Sequence, residues 1–392
     1  MKKNLFIALV LVCACALFTS CSDAAEDNDG LFSIVKVNAK ALLAPEYGEN
    51  NQKAGITARG ANDFAFRLSA ALAKNAGNEN FVCSPYSVWM PLAALVNATD
   101  VEHKDALLTA LGAAGISQDD INTAASRMLY NLTKLEDKEY QEKYYYNPLK
   151  IANAIFVGNN VTLRKEFAQT FMDFYRGSSI NVDFSSRDAV DAVNNWASKN
   201  TDGLITNLVQ KFDSSTVAAI ANAIYFSDRW AWEFDSKETK EGVFRAPAGD
   251  TKAWYMLREG RDQFYYEDEQ VQAIPLRFKH DGGMYIVLPR DGDAKALLSS
   301  MTSEYFNEIQ QNSYLAEGKL LLPRFSIQND IKGLKEALQL LGVPLFDKES
   351  APLTGGLIEE DMRVWVSDAI QKAVIQVDEK GTTAAAVTVS LS

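Results

Sequence analysis

A chain of 392 residues, 47% hydrophobic and 23% charged, carries enough apolar surface for one large domain or two ordinary ones, and its composition excludes a disordered protein. Its 51 acidic residues outweigh 39 Lys and Arg to give a net charge of −12, and without a basic patch nucleic-acid binding through phosphate contacts is excluded. Only His103 and His280 occur, with no GxSxG, HExxH or Walker motif, so a hydrolase lacks its usual parts. His103 falls in the helical VEHKDALL and His280 in a turn, where both read as solvated surface residues.

Residues 1–20 read as a targeting segment. Lys2 and Lys3 precede an apolar stretch, Leu5 to Phe18, too short for the roughly 20 residues a spanning helix needs. Phe18-Thr19-Ser20-Cys21 resembles a bacterial lipoprotein signal cleaved before Cys21, with Phe where Leu is commoner; an ordinary signal peptide with an incidental cysteine is the alternative. The acidic run Ser22 to Asp29 resembles the export tag of surface lipoproteins in some Gram-negative bacteria. A lipid on Cys21 would then anchor the chain in the cell envelope at the outer membrane, on its outer surface if the acidic run acts as that tag and on its inner side otherwise. Residues 21–56 read as an acidic, polar tether with a short strand at Leu31 to Val37. With Cys13, Cys15 and Cys21 confined to this region, Cys83 is left without a disulfide partner and reads as a buried core thiol.

From residue 57 onward the pattern is that of one domain. Ala61 to Lys74 places Phe64, Leu68, Ala71 and Leu72 on one helical face. Ser84 caps a helix that opens with Pro85 and runs to Val96. Asp100–Leu111 and Asp120–Leu135 read as further helices. Then come a strand (IANAIFVG, from Ile151), a helix (Lys165–Tyr175), a strand (INVDF), a helix (Arg187–Asn200) and a long strand, Val217–Phe226. Phe264 to Pro289 is β-patterned, Ala294–Gln311 helical, Lys319–Gln328 a strand, and Ile331–Leu341 a helix closed by Gly342. Strands and helices mixed without regular βαβ alternation argue for a single α+β domain. The Asp/Gly-rich runs EDNDG and PRDGDAK lack the ligand spacing of an EF-hand, and neither a metal nor another cofactor is expected.

The final segment, Glu379 to Ser392 (EKGTTAAAVTVSLS), follows a strongly β-patterned run from Val364 to Asp378. Thr382, Ala384, Ala386, Thr388, Ser390 and Ser392 share one face of any strand, and all are small and uncharged. Such a segment suits a chain exposed in one state and slipped into the middle of a sheet in another, without burying a charge or overfilling the core. A flexible low-complexity tail is the plainer alternative.

NFVCSPYS (Asn80–Ser87), IANAIFVGNN with INVDF (Ile151–Phe184), NNWASKNTDGLITNLV (Asn194–Val209), VAAIANAIYFSDRWAWEFD (Val217–Asp235), LLLPRFSIQNDIKGLKEALQLLGVPLFD (Leu320–Asp347) and QKAVIQVDEKGTTAAA together resemble the serpin family, in order, over residues 57–392. The resemblance implies a large central sheet that accepts a reactive loop, two smaller sheets and about nine helices. It also implies an irreversible suicide-substrate inhibitor of serine or cysteine endopeptidases and no enzyme. The partner is the target endopeptidase, held as a covalent acyl-enzyme, and the inhibitor is a monomer. An inserted segment of about 15 residues at 3.3 Å each would carry that protease on the order of 50 Å.

On this resemblance Glu379, Lys380, Gly381, Thr382, Thr383, Ala384, Ala385 and Ala386 form the loop's hinge, with Thr382, Ala384 and Ala386 turned inward and Gly381 easing the pivot. Val387, Thr388, Val389, Ser390, Leu391 and Ser392 continue the reactive loop. Trp230 matches the residue at the top of the large sheet where insertion begins, and Ser84, Ser87 and Asn222 the polar cluster that lets the sheet part. Gln371 stands where animal members often have His. The chain stops at Ser392, short of the scissile bond that the resemblance implies, so a cleaved, split or truncated form is expected. Two alternatives stay open: a non-inhibitory or inactive member of this family, and a surface lipoprotein that binds carbohydrate or protein through aromatics such as Tyr144-Tyr145-Tyr146.

Overall fold

Two six-stranded sheets organise the chain in the computed structural model, which describes residues 8–11, 49–77, 79–133, 148–246, 249–280 and 282–391. The larger sheet holds β2 (Leu149–Gly158), β3 (Gly177–Val182), β4 (Ala218–Arg229), β10 (Phe325–Asp330), β11 (Asp368–Val377) and β12 (Gly381–Leu391). Its order is β10-β11-β12-β4-β2-β3. All neighbours are antiparallel except β2 and β3, which are joined through helix α5 (Lys165–Tyr175) as a parallel pair requires.

β4 is buried without interruption from Ala218 to Ala223, the mark of a strand covered on both faces. On one face Ala219, Ala221 and Ala223 are small enough for helix α6 (Arg187–Asn200) to settle close, through Ala189, Ala192, Val193 and Ala197. On the other lies α2 (Pro85–Leu95), which packs against β4 and β12. Every residue of α2 from Ser87 to Leu95 is buried, and a helix apolar on all sides has to be. Helices α1 (Glu49–Asn75), α3 (Val101–Ala110) and α4 (Gln118–Thr133) complete that layer.

The second sheet runs β1 (Ala8–Leu11), β8 (Gly283–Pro289), β7 (Val271–Arg277), β6 (Gly249–Glu267), β5 (Lys240–Ala246), with β9 (Tyr314–Pro323) also pairing β6. The two smaller sheets expected from the sequence are thus halves sharing the 19-residue β6. β1 lies within the stretch read as a targeting segment and pairs β8 by its backbone.

A single α+β domain with nine α-helices among the described residues agrees with the expectation, and the differences are local. α1 begins at Glu49, inside the stretch expected as tether, because its first turns are polar and carry no clear helical period. Gly60 is needed for close approach: a Cβ there would lie 1.9 Å from Gly112 O. The run Ala294–Gln311 splits into α7 (Ala294–Ser300) and α8 (Ser303–Gln311), where the Thr302 side chain caps the second by accepting from Tyr305 N. Lys319–Gln328 is two strands, because the chain leaves β6 at Pro323 and joins β11 from Phe325. Helix α9 (Leu334–Leu340) starts three residues later than the periodicity suggests. β5 and the first half of β6 were not anticipated: β5 alternates between exposed and half-buried, and in the first half of β6 Met256 alone is fully buried, too little to read as an apolar face. Cys21, the strand expected at Leu31–Val37, Tyr144–Tyr146 and Ser392 lie outside the described residues.

Candidate functional site

The expected tail is an inner strand of the large sheet. β12 pairs β11 from Leu391↔Asp368 to Thr382↔Val377, and β4 from Gly381↔Arg229 to Leu391↔Ala219. Side chains alternate across it. Ala385, Val387, Val389 and Leu391 pack under α6, while Thr388 turns to Ser87 of α2 and Ala384 to the second sheet's core. Thr382, Thr388 and Ser390 are each about 98% enclosed.

The turn from β11 into β12 is held at every residue. Asp378 Oδ1 accepts from Lys380 N at 2.8 Å and Gly381 N at 3.2 Å, and Asp378 N donates to Gly381 O at 3.1 Å. Glu379 O accepts from Phe234 N at 2.9 Å; its Oε1 accepts from the Thr239 hydroxyl at 2.7 Å and lies 3.6 Å from Arg324 Nη1. Trp230 clasps the same turn, donating from Nε1 to Asp378 O (2.9 Å) and from N to Lys380 O (2.8 Å). Its ring is buried and stacks on Phe278 with centroids 4.9 Å apart. Gly381 serves close approach and not a left-handed pivot: its Cβ would meet Asp228 O at 2.1 Å, and its φ is not positive.

Beneath the middle of β12 runs a chain of buried hydrogen bonds. Gln371 Nε2 donates to Ser84 O at 2.9 Å and Thr388 Oγ1 at 2.7 Å, and Gln371 Oε1 accepts from Ser84 N at 2.9 Å. Thr388 Oγ1 lies 3.0 Å from Ser87 Oγ, which donates to Asn222 O at 3.4 Å. Asn222 Nδ2 donates to Asn153 Oδ1 (2.8 Å), Asn153 Nδ2 to Tyr175 O (2.7 Å), and Tyr175 OH to Asn122 Oδ1 (2.8 Å), which Asn97 also bonds. Burial pushes the Tyr175 hydroxyl far above its usual range, so it stays a donor. Asn222 Oδ1 and Thr382 Oγ1 are buried with no hydrogen-bond partner.

Ser84, Ser87, Asn222 and Gln371 therefore converge on Thr388, while Trp230 sits apart at the turn. The expected cap at Ser84 is corrected: its hydroxyl makes no capping bond, because Gln371 takes its backbone instead. His103 and His280 are not solvated surface residues either. Nδ1 of each lies against a carboxylate, Asp100 at 2.8 Å and Asp228 at 2.7 Å. Cys83 is half-buried, with burial pushing its thiol up to about 11. Asn153, Tyr175, Asn122, Asn97, Thr239, Arg324 and Asp228 went unread, although an Asn at the centre of an apolar strand, as in IANAI, is a readable signal. Among the described residues no group of His, Cys, Asp and Glu is placed to hold a metal, and no helix is long and apolar enough to cross a membrane.

A family model described as serpin (serine protease inhibitor) matches residues 59–392. The chain is 31% identical to antichymotrypsin-2 of Bombyx mori over 84% of its own length and 87% of the relative's. It is 29% identical to alpha-1-antitrypsin of Meriones unguiculatus over 88% and 83%. Among solved structures it is similar to cleaved Serpin 42Da (28% identity, TM-score 0.76, 86% of this chain and 88% of that one). Latent tengpin is similar at 25% identity and TM-score 0.76, with 89% and 90% covered.

Proposed function

This chain belongs to the serpin family, and on that premise we propose that it is an irreversible suicide-substrate inhibitor of serine or cysteine endopeptidases. The protease nucleophile attacks a peptide carbonyl in the reactive loop, the amine side leaves with a proton, and the acyl-enzyme stays on the inhibitor. Movement of residues 381–391 between β11 and β4 then drags the protease away before water reaches the ester or thioester. Eleven residues as a strand extend about 37 Å.

The observation that carries this reading is β12 itself. Its composition is that of a segment able to lie in solvent, with no charged side chain from Gly381 to Leu391, yet its backbone is laddered on both sides and its faces are covered. A state with β12 outside would lack those ladders, so insertion is downhill once the loop is released. Gln371 fits the role of latch. It stands in register with Thr388, which in turn stands opposite Asn222. If β12 is withdrawn and β11 meets β4, Gln371 faces the partnerless Asn222 Oδ1. Insertion exchanges that acceptor for the Thr388 hydroxyl.

Incubation of a form that carries the scissile bond with elastase-like, trypsin-like and papain-like proteases tests the reading. A complex stable in SDS is the expected result; cleavage without one rejects it. The reading extends to Cys21 as the lipidation site of an envelope-anchored form, supported by the run Phe18-Thr19-Ser20-Cys21 and the acidic stretch after it. Mass spectrometry of the mature N-terminus tests it, with an unmodified or retained Cys21 as the opposing result.

A further inference from the structure

Between the large sheet and α1 lies a cavity of about 350 Å3. We propose that it binds a small uncharged apolar molecule carrying one hydroxyl: an aromatic or medium-chain alcohol. Alanines on both walls open the space. The sheet contributes two ladder rows, Leu149–Phe226–Ala384–Ile375 and Ile151–Ile224–Ala386–Ala373, whose bulk falls away at β12. Facing them, Ala58, Ala61 and Ala65 recur at helical spacing along α1. An apolar cavity of about 150 Å3 is enough for benzene, so this one takes a fused ring pair or a chain of medium length.

The lining selects against ions. Among the described residues that line it there is no Asp, Glu, Lys, Arg or His, and a charge brought there would go unpaired. Polar groups are nonetheless at hand. Asn62 of α1, Asn131 of α4 and Ser84 make no side-chain hydrogen bond among the described residues. A hydroxyl both donates and accepts, so it answers a side-chain amide in either orientation.

Ala384, Ala385 and Ala386 of β12 are part of this wall, so without that strand the floor is narrower by one strand spacing, about 4.8 Å. On the insertion reading proposed above, the ligand fits the inserted form best and favours it by mass action.

Isothermal titration of the full chain with 1-naphthol and 1-decanol, against 1-naphthoate and decanoate at neutral pH, tests the site. The expected result is saturable binding of at least one alcohol, with its carboxylate counterpart weaker by about tenfold or more. The bound alcohol also slows alkylation of Cys83, read by mass spectrometry, because that thiol lines the cavity. Ala65→Leu fills the space and removes both effects in a chain that still unfolds cooperatively. Asn62→Leu with Asn131→Leu weakens the alcohol about threefold, and undiminished binding there overturns the role given to the hydroxyl. No saturable binding, equal binding of the carboxylate, or binding that leaves Cys83 alkylation unchanged overturns the site, and all three are read on the parent chain. Gly381→Val separates this from the insertion reading, since its side chain cannot pass Asp228 O. Weaker binding of the alcohol there supports a wall completed by β12. Full binding there keeps the cavity and overturns its dependence on insertion.

Discussion

Asn153 and Asn222 stand opposite each other in the β2–β4 ladder, each at the centre of an identical pentapeptide, Ile-Ala-Asn-Ala-Ile, and their side chains are joined by a 2.8 Å hydrogen bond. The two pentapeptides run antiparallel, so the bond sits on a local twofold. It ties the edge half of the large sheet to the strand that borders β12. Removing one partner leaves a buried amide unmatched. Asn153→Ala is expected to cost about 1–3 kcal/mol in urea unfolding, and the double variant with Asn222→Ala less than the sum of the two singles. Strict additivity would mean the pair is not coupled.

Thr388 is the one side chain of β12 that enters the buried polar chain. Thr388→Val keeps the shape and removes the hydroxyl, depriving Gln371 and Ser87 of a partner at once. A loss of about 1 kcal/mol in the stability of the inserted form is expected, with Thr388→Ser close to the parent. A midpoint unchanged in the Val variant would show that Gln371 does not use this hydroxyl.

Thr382 is 2% exposed between Val377 and Asp228. Thr382→Arg places a cation with no free acid in that position. The expected phenotype is a loop still cut by the target protease with the SDS-stable complex gone. A variant that still traps protease would remove residue 382 from the inserted strand.

The turn between β6 and β7 predicts a pH dependence at both ends. Burial raises the Asp268 carboxyl, but donors from the Tyr305 hydroxyl, Val271 N, Gln270 N and the Tyr266 hydroxyl outweigh it and hold the group below its ordinary value. Its contribution is present above the unfolded carboxyl range near 4 and is lost as pH falls through the lower folded value. Tyr266 is raised to about 12, first by desolvation and then by Asp268. Its contribution is complete below about 10 and lost as pH rises toward 12. Asp268→Asn should flatten the acid limb of a stability–pH curve and soften the alkaline one. Equal curves for parent and variant would place both groups outside the linkage.

The elements that sequence reading located best are those with a single strong period. Lys165–Tyr175 and Arg187–Asn200 carry an apolar stripe, the second also a Ser186 cap, and both bounds agree with the structure. The segment 240–263 carried no such mark, because its strands are held by the ladder to β9 and not by an apolar face. Pro323 was visible, but nothing local reveals that the chain changes sheets there. In the site, the small residues of 382–386 were legible because size and charge are properties of one residue at a time. The chain from Gln371 to Asn97 was not, because it joins β11, β12, α2, β4, β2, α5 and α4, and only the fold brings those polar groups together. His280 misled for the same reason, since Asp228 reaches it only through the fold, whereas the Asp100 cap three residues before His103 was a local sign left unused.

Val387, Val389 and Leu391 fill the space under α6, which gives them two masters. On the inhibitor reading proposed above, the cleft of an enzyme would choose them as part of a bait, while Ala189, Val193 and Ala197 choose them as part of a core. Selection can retune such a bait only with side chains the helix will also accept. Diversity against new enzymes is therefore cheapest outside this stretch.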